Sequence, residues 1–467
     1  MKREELASLS KEELIHLIQE MFEQQARLMA AFQQLKADHE ALKLKFERNQ
    51  KPPTTSKNSS QPPSRDQKSN LPKNRRRRKH GPPAGHAKHE RKFVAQADQV
   101  INVRAQECGS CQADLKAESG QLVKVNQITE LPEASAQVIE VRQYEIACPH
   151  CGQKETAQPP PGLEMERSFG ARLEATVVYY RQEQHMSYVR TQKALWDLYG
   201  VQVSQGGIDK IMQRAGKHAL RQTPSIQEKV ASSRTIYCDE TGSRVDGNTW
   251  WEWVFCTLNA VLHVVRDNRS VDTIRDVMGE NIAEVWVSDC LTSQLKAPAK
   301  QHQLCLAHQL RNLQAVVDAH PHLFWPRAMQ AMFREAIHLH HQRSQLAPGN
   351  FARHVERIER LCDRLLERSH APPEAGWLLR RYKKYRQSLF VCLHRTDVEP
   401  TNNVSERALR ASVVHRKVSN GFRAEWGAKA YAALASVIDT GELSGLSAFH
   451  SIQNLFGKPA LPLPSRG

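Results

Sequence analysis

The chain lacks any apolar run approaching the ~18 residues that a membrane-crossing helix requires, so a membrane span is not expected. It also lacks an apolar leader: Met1-Lys-Arg-Glu-Glu runs straight into an amphipathic pattern. A cytoplasmic setting is therefore the expectation. A disulfide framework is missing too. Of ten cysteines, four form two C-x-x-C pairs, while Cys238, Cys256, Cys290, Cys305, Cys362 and Cys392 are scattered, a usage that fits metal ligands plus reduced core thiols. Acidic residues are almost absent from one stretch. Residues 51–92 hold 13 Lys/Arg against only Asp66 and Glu90, and this segment supplies most of the net charge of +16. Such a charge imbalance points to a polyanionic partner. With 467 residues, two or three domains can each bury a core.

Leu14, Met21, Leu28, Leu35 and Leu42 recur every seventh residue, and Ile18, Gln25, Phe32, His39 and Phe46 fill the second seam position. With a Ser10-x-x-Glu13 capping box in front, residues 1–48 read as a coiled coil through which the chain self-associates. Residues 49–93 form a Pro/Ser/Lys linker too polar to fold alone. Its cluster Arg75, Arg76, Arg77, Arg78 and Lys79 suits phosphate neutralisation, which gives affinity without sequence choice. The two histidines of Gly81-Pro-Pro-Ala-Gly85-His86-Ala-Lys-His89 read as part of a turn rather than a metal site.

Cys108-Gly-Ser-Cys111 and Cys148-Pro-His-Cys151 are separated by 36 residues. Each offers two thiolates from one turn, and two such turns complete a tetrahedral structural Zn²⁺ site, so residues 94–160 read as a zinc ribbon. The alternation over Gln137–Ile146 suggests a strand between them. Residues 161–232 turn helical. A helix over Tyr188–Tyr199, a break at Gly200 and a second helix capped by Ser204 form a helix-turn-helix-like, DNA-binding pattern. Arg190, Lys193, Lys210 and Arg214 are its candidate phosphate contacts.

Residues 233–310 read as strand, strand, strand, helix, strand and a fifth short strand, Gln303–Leu306. The first strand ends on Asp239, the fourth delivers Asp289, and Ser270 caps the intervening helix. That order is the one of a ribonuclease H-like core, in which the first and fourth strands lie side by side. Residues 311–398 read as an all-helical insertion, residues 399–442 as the second part of the core, and residues 443–467 as a tail. Asn403 and Glu406 have the spacing of a helix-capping box, and Asp239 and Asp289 singly fit turn and strand-end roles. Taken together, two strand-end aspartates and a helical glutamate can hold two Mg²⁺ (or Mn²⁺) ions about 4 Å apart for phosphoryl transfer. Arg407 and Arg410 follow the glutamate as candidate DNA contacts, and Cys305 and His308 read as packing and helix-entry residues.

The motifs Asp239-Glu-Thr, Ser288-Asp289, Cys305-x-Ala-His308 and Asn402-Asn-x-x-Glu406-Arg-Ala-Leu-Arg410, with Arg416-Lys417 behind, resemble a family. It is that of bacterial DDE transposases of the insertion-sequence-sixty-six type. The likeness extends over the zipper, linker, zinc-binding segment and the Leu446-Ser-Ala-Phe-His450 end. It implies Asp239, Asp289 and Glu406 as a catalytic, Mg²⁺-holding triad on a ribonuclease H-like core. It also implies a partner in double-stranded DNA, as element ends and target, and small accessory proteins encoded alongside. Thr401 and Cys290-Leu-Thr depart locally from residues common in such proteins. Two other readings use the same modules: a DNA-binding regulator without chemistry, and a decayed transposase that binds ends without cutting.

Overall fold

The computed structural model describes residues 10–50, 54–59, 92–116, 120–160, 162–164 and 167–457. The described parts of 68–140 and 193–202 form one compact unit, and the remainder forms another.

In the larger unit, α1 (Lys11–Gln50) is one continuous helix that starts right after Ser10. Met21, Leu28, Phe32, Leu35 and Leu42 of its heptad seam are exposed. A short hairpin follows, β1 (Glu145–Ala147) with β2 (Lys154–Thr156). The strand expected over 137–146 is thus confined to its last residues, because 137–144 find no ladder partner among the described residues.

α2 (Ala171–Gln182) leads to α3 (Tyr188–Tyr199), which spans the residues that its periodicity predicts. α4 (Gln205–Ala231) starts where Ser204 Oγ accepts from Gly207 N, so the expected cap is present. Buried Glu174 of α2 takes the guanidinium groups of Arg167 (2.9 Å) and Arg214. Arg214 thus helps to neutralise a buried carboxylate.

The sheet that follows has the order β5-β4-β3-β6-β7. Its strands are β3 (Thr235–Val245), β4 (Asn248–Cys256), β5 (Val261–Arg266), β6 (Ala283–Ser288) and β7 (Ala299–Leu304). The first three form an antiparallel meander, and α5 (Val271–Met278), capped by Ser270, carries the chain over to β6, parallel to β3. This mixed sheet is compatible with a ribonuclease H-like core. β7 begins four residues before the strand expected at Gln303.

β3 does not stop at Asp239. It runs to Val245 and turns back through Asp246 and Gly247, both with positive φ (48° and 74°), which matches the twist of a tight hairpin. Long cross-strand pairing with the aromatic run of β4 extends a segment, Glu240-Thr-Gly-Ser, whose own composition argues against a strand.

On one face, Tyr237, Val254, Val261, Val285 and Val287 join the core of the helical segment that follows. That segment comprises α6 (Leu306–Ala319), α7 (Phe324–His341), α8 (Pro348–Arg368), α9 (Pro373–Lys384) and the short α10 (Val391–His394). Pro348 and Pro373 stand at the first position of α8 and α9. Both prolines thus open their helices, where the missing N–H costs nothing. On the opposite face Phe255 lies between Trp253 and Trp286.

The chain returns as α11 (Asn403–Ser419), α12 (Glu425–Leu443) and α13 (Ala448–Leu455). Asn420 ends α11 in the left-handed conformation, and Gly421 follows at φ 108°. A Cβ on Gly421 would come within 2.5 Å of the Arg244 carbonyl oxygen, so the close approach of the two backbones requires glycine. There Phe422 exchanges backbone hydrogen bonds with Arg244 and Asp246, tying the end of α11 to the end of β3. The expected tail contains a folded helix: Ser447 caps α13, and Ile452 and Leu455 are buried.

Candidate active site

In the parallel pair, Tyr237 stands opposite Val287. Asp239 lies two residues further along β3 and Asp289 one residue past the end of β6, near enough for the Asp289 charge to act on Asp239. Side chains alternate along a strand, so Asp239 belongs to the face that carries Tyr237, the face packed against the helices. The aspartate of β3 is thus placed by the point where its parallel neighbour ends, not by the end of its own strand.

Each aspartate spends one oxygen on a local amide. Glu240 N donates to Asp239 Oδ1 (2.9 Å) and Leu291 N to Asp289 Oδ1 (2.8 Å). The second oxygen of each has no protein hydrogen bond among the described residues. Burial, with the charges of Glu240, Asp289 and Glu406 nearby, pushes the Asp239 carboxyl far above the usual carboxylate range.

Glu240 alternates to the other face and has a different task. Its carboxylate takes Arg269 and the amide of Gln294 (2.5 Å), while Gln294 in turn accepts from Trp286 Nε1. Arg269 stacks on Trp251 at 4.5 Å. This neighbour of Asp239 is therefore held by structural partners, with no carboxylate oxygen to spare for the cleft.

The third acid arrives from 167 positions further along the chain. Sequence spacing suggests Asn403 as the cap of its helix, but α11 begins at Asn403 and Asn402 is the flanking residue. Buried Asn402 pins this start to the sheet: Nδ2 donates to Cys238 O (2.8 Å), Oδ1 accepts from Ser405 Oγ (2.9 Å), and its amide reaches Cys305 Sγ (3.1 Å). Cys238 is the residue before Asp239, so a single side chain sets α11 against the strand carrying the first acid. The Pro400 carbonyl accepts from Leu306 N, which fixes the start of α6 to the same segment.

Glu406, in the first turn of α11, is held by Arg311 (2.8 Å) and faces His308 Nε2 at 3.7 Å, both from α6. Burial, then the charge of Arg311, lowers the His308 pKa, keeping the imidazole neutral. His308 and Arg311, spaced i and i+3, share one face of α6, the signal by which sequence alone could have paired them. Further down α11, Arg416 donates to Thr241 Oγ1 (3.3 Å), two residues past Asp239 on the same face. Arg407, Arg410 and Lys417 lie exposed along the same helix.

The three acids belong to one neighbourhood but do not close on one another. Among the described residues, the ligand-type trio lying within 4.8 Å of one another is His340, His341 and Glu399 instead. Oxygen donors of three carboxylates fit hard divalent cations such as Mg²⁺ or Mn²⁺. Arg311 occupies Glu406 with the positive charge that such an ion would otherwise supply.

The remaining candidate residues are dispersed. Arg190 and Lys210 are exposed, and exposed Lys193 pairs with Asp197 at 2.7 Å. Arg75, Arg76, Arg77, Arg78 and Lys79 lie outside the described residues. The two cysteine pairs form the same local turn. Gln112 N donates to Cys108 O and Cys108 N to Ala113 O, and Gly152 N to Cys148 O and Cys148 N to Gln153 O. Backbone amides of Cys111 and Ser110 lower the Cys108 pKa, and those of Cys151 and His150 lower that of Cys148, so each turn favours a thiolate.

The family model described as "Transposase IS66 family" matches residues 166–430, which include every residue of this site. No curated protein matches the chain.

Proposed function

The chain belongs to the IS66 family of transposases, and from that premise we propose that it cuts DNA at the ends of an insertion sequence and joins them to target DNA. What supports this reading is the nearness of the three acids, Asp289 and Glu406 both acting by their charge on Asp239, with β3 parallel to β6 and α11 pinned next to Cys238. A regulator that only binds DNA has no use for three converging carboxylates. A decayed transposase would keep them, and the cleavage assay below separates it.

Asp239, Asp289 and Glu406 are the proposed catalytic residues. Bound Mg²⁺ or Mn²⁺ would supply an activated water or DNA 3′-hydroxyl and charge neutralisation at the scissile phosphate. The chain's own contribution is to hold the acids. The amides of Glu240 and Leu291 orient two of them, and burial raises the pKa of Asp239, the acid that a bound cation would relieve most. Arg311 keeps Glu406 within the cleft and is free to turn to phosphate charge once Glu406 is otherwise engaged. Arg416, Lys417, Arg407 and Arg410 on α11 are proposed to hold the DNA backbone, with Arg190, Lys193, Lys210 and the basic cluster at 75–79 adding affinity without sequence choice.

Cys108, Cys111, Cys148 and Cys151 are proposed to share a structural Zn²⁺, supported by the matching turns and lowered thiol pKa values. The exposed seam of α1 supports self-association as a coiled coil. The domain limits read from the sequence are kept as part of this proposal, with α13 lying within the segment read as a tail. Small accessory proteins are proposed as further partners.

The test is cleavage of plasmid carrying the DNA that flanks the gene, by wild-type, Asp289→Asn and Glu406→Gln proteins, with Mg²⁺, Mn²⁺ or EDTA. Metal-dependent nicking at fixed positions that both substitutions abolish is the expected result. Specific binding without cutting under any metal would favour the regulator or the decayed enzyme, and cutting that survives both substitutions would overturn the site.

A further inference from the structure

The last turn of α7 and the segment that returns the chain to α11 meet at three side chains outside the site just described. The ligand atoms of His340, His341 and Glu399 all lie within 4.8 Å of one another. His340 is nearly enclosed, with 9% of its side chain exposed. Its Nδ1 lies 3.1 Å from Cys392 O, an acceptor only, so Nδ1 carries the proton and the Nε2 lone pair is left for another partner. Nε2 faces Glu399 Oε2 at 3.5 Å. A ring N–H tied to a backbone carbonyl, which leaves the other nitrogen for an ion, is how metal-ligating histidines are oriented.

We propose that His340, His341 and Glu399 bind a divalent transition ion of the Zn²⁺ class, which ties the helical segment to the strap leading to Glu406. Two imidazoles and one carboxylate are the donor set of three-coordinate protein zinc sites that keep a fourth position for water. Imidazole nitrogen selects Zn²⁺, Co²⁺ or Ni²⁺ over Mg²⁺, so this site does not compete for the ions of the acidic cleft. Tetrahedral bonds of about 2.0–2.2 Å put neighbouring donors roughly 3.3 Å apart. Glu399 is half exposed, and rotation of its side chain supplies the closure. The carbonyl end of α7 adds a favourable field for a cation. The nearby guanidinium of Arg343 is committed to the carbonyls of Arg395 and Leu393 and stacks on Phe351 at 4.6 Å.

The consequence for the fold lies in where Glu399 sits. Its amide donates to Tyr237 Oη (2.8 Å), and Thr235 Oγ1 donates to Asp397 at 2.9 Å. The strap is thus laced to β3 on one side, and an ion would lace it to α7 on the other.

The test is metal stoichiometry of the full chain, by Zn²⁺ competition against a chromogenic chelator and by Co²⁺ absorption. The wild-type chain is expected to bind one equivalent more than His340→Ala, and that equivalent adds visible d–d bands without thiolate charge-transfer intensity. The cysteine turns cancel in the difference. Glu399→Gln, an exposed change that leaves folding intact if His340→Ala does not, is expected to weaken the same equivalent at least tenfold. His338→Ala, exposed in the same turn but outside the trio, is expected to keep it. Equal stoichiometry and affinity in wild type and Glu399→Gln would overturn the proposal. So would an equal loss in His338→Ala, the mark of adventitious binding to surface histidines.

Discussion

Asp239→Asn is expected to make the protein more stable in EDTA and deaf to Mg²⁺. In the metal-free fold this carboxyl is desolvated beside Glu240 and Asp289, and its pKa is raised. The folded state therefore holds a proton that the unfolded chain releases above about pH 4. The stability contribution of that proton is full below the unfolded value and is lost as pH rises through the raised one. At pH 8 the wild type bears this loss, whereas the amide has nothing to ionise and can still accept from Glu240 N. A gain on the order of 2 kcal/mol is expected, and for a unit of this size that is roughly 2–3 °C in melting temperature. The gain should shrink as the melt is repeated toward pH 4. Mg²⁺ acts in the opposite direction. At 10 mM, an ion with a dissociation constant of about 1 mM stabilises the wild type by about 1.4 kcal/mol, or about 2 °C, through binding only the folded state. Differential scanning fluorimetry with and without Mg²⁺ at two pH values reads both effects. A variant that melts at or below wild type in EDTA at pH 8, or that keeps the Mg²⁺ shift, would refute the reasoning.

Asn402→Ala leaves the Cys238 carbonyl and Ser405 without their partner in a buried place. It should cost about 1–3 kcal/mol in denaturant unfolding and depress cleavage further than the stability loss explains. Gly421→Ala adds a Cβ against the Arg244 carbonyl at a positive φ, and a loss of about 2–4 kcal/mol is expected in the same assay. His263 lies buried between Glu252 (3.0 Å) and Asp439 (2.9 Å), and those hydrogen bonds outweigh desolvation to raise its pKa to about 10. Its stabilisation is full below about pH 6.5 and is lost as pH rises through 10, so melting temperature should fall across that window and His263→Gln should flatten the slope. Glu183, pushed up to about 7 by burial and by Asp439 and Glu442, loses stability between about pH 4.5 and 7, and Glu183→Gln should raise the melting temperature at pH 8.

Much of this was legible where local chemistry decides alone. Ser204 and Ser270 cap their helices as their spacing announces, and Tyr188–Tyr199 is helical over its predicted residues. The juxtaposition of the first and fourth strands also followed from element order. What escaped depends on partners distant in sequence. β3 outruns Asp239 because β4 pairs along its whole length, a fact about Trp250–Phe255 rather than about Glu240-Thr-Gly-Ser. The shift of the helix flank from Asn403 to Asn402 comes from the Cys238 carbonyl, 164 positions away. Arg311 was visible as a cation but not as the holder of Glu406. α13 was passed over because eight residues give a weak period, although Ser447 in front of Phe449, Ile452 and Leu455 carries the signal.

All five strands of the sheet are written by Leu304, and both aspartates with them. The glutamate and the asparagine that seats it come about a hundred residues later, behind the whole helical segment. At about 5–20 residues per second, a ribosome needs roughly 5–20 s to cover that distance. A nascent chain, or one ended early, thus has a complete sheet and two of its acids yet no third. For that interval the sheet and its two aspartates wait for the helix that carries the glutamate.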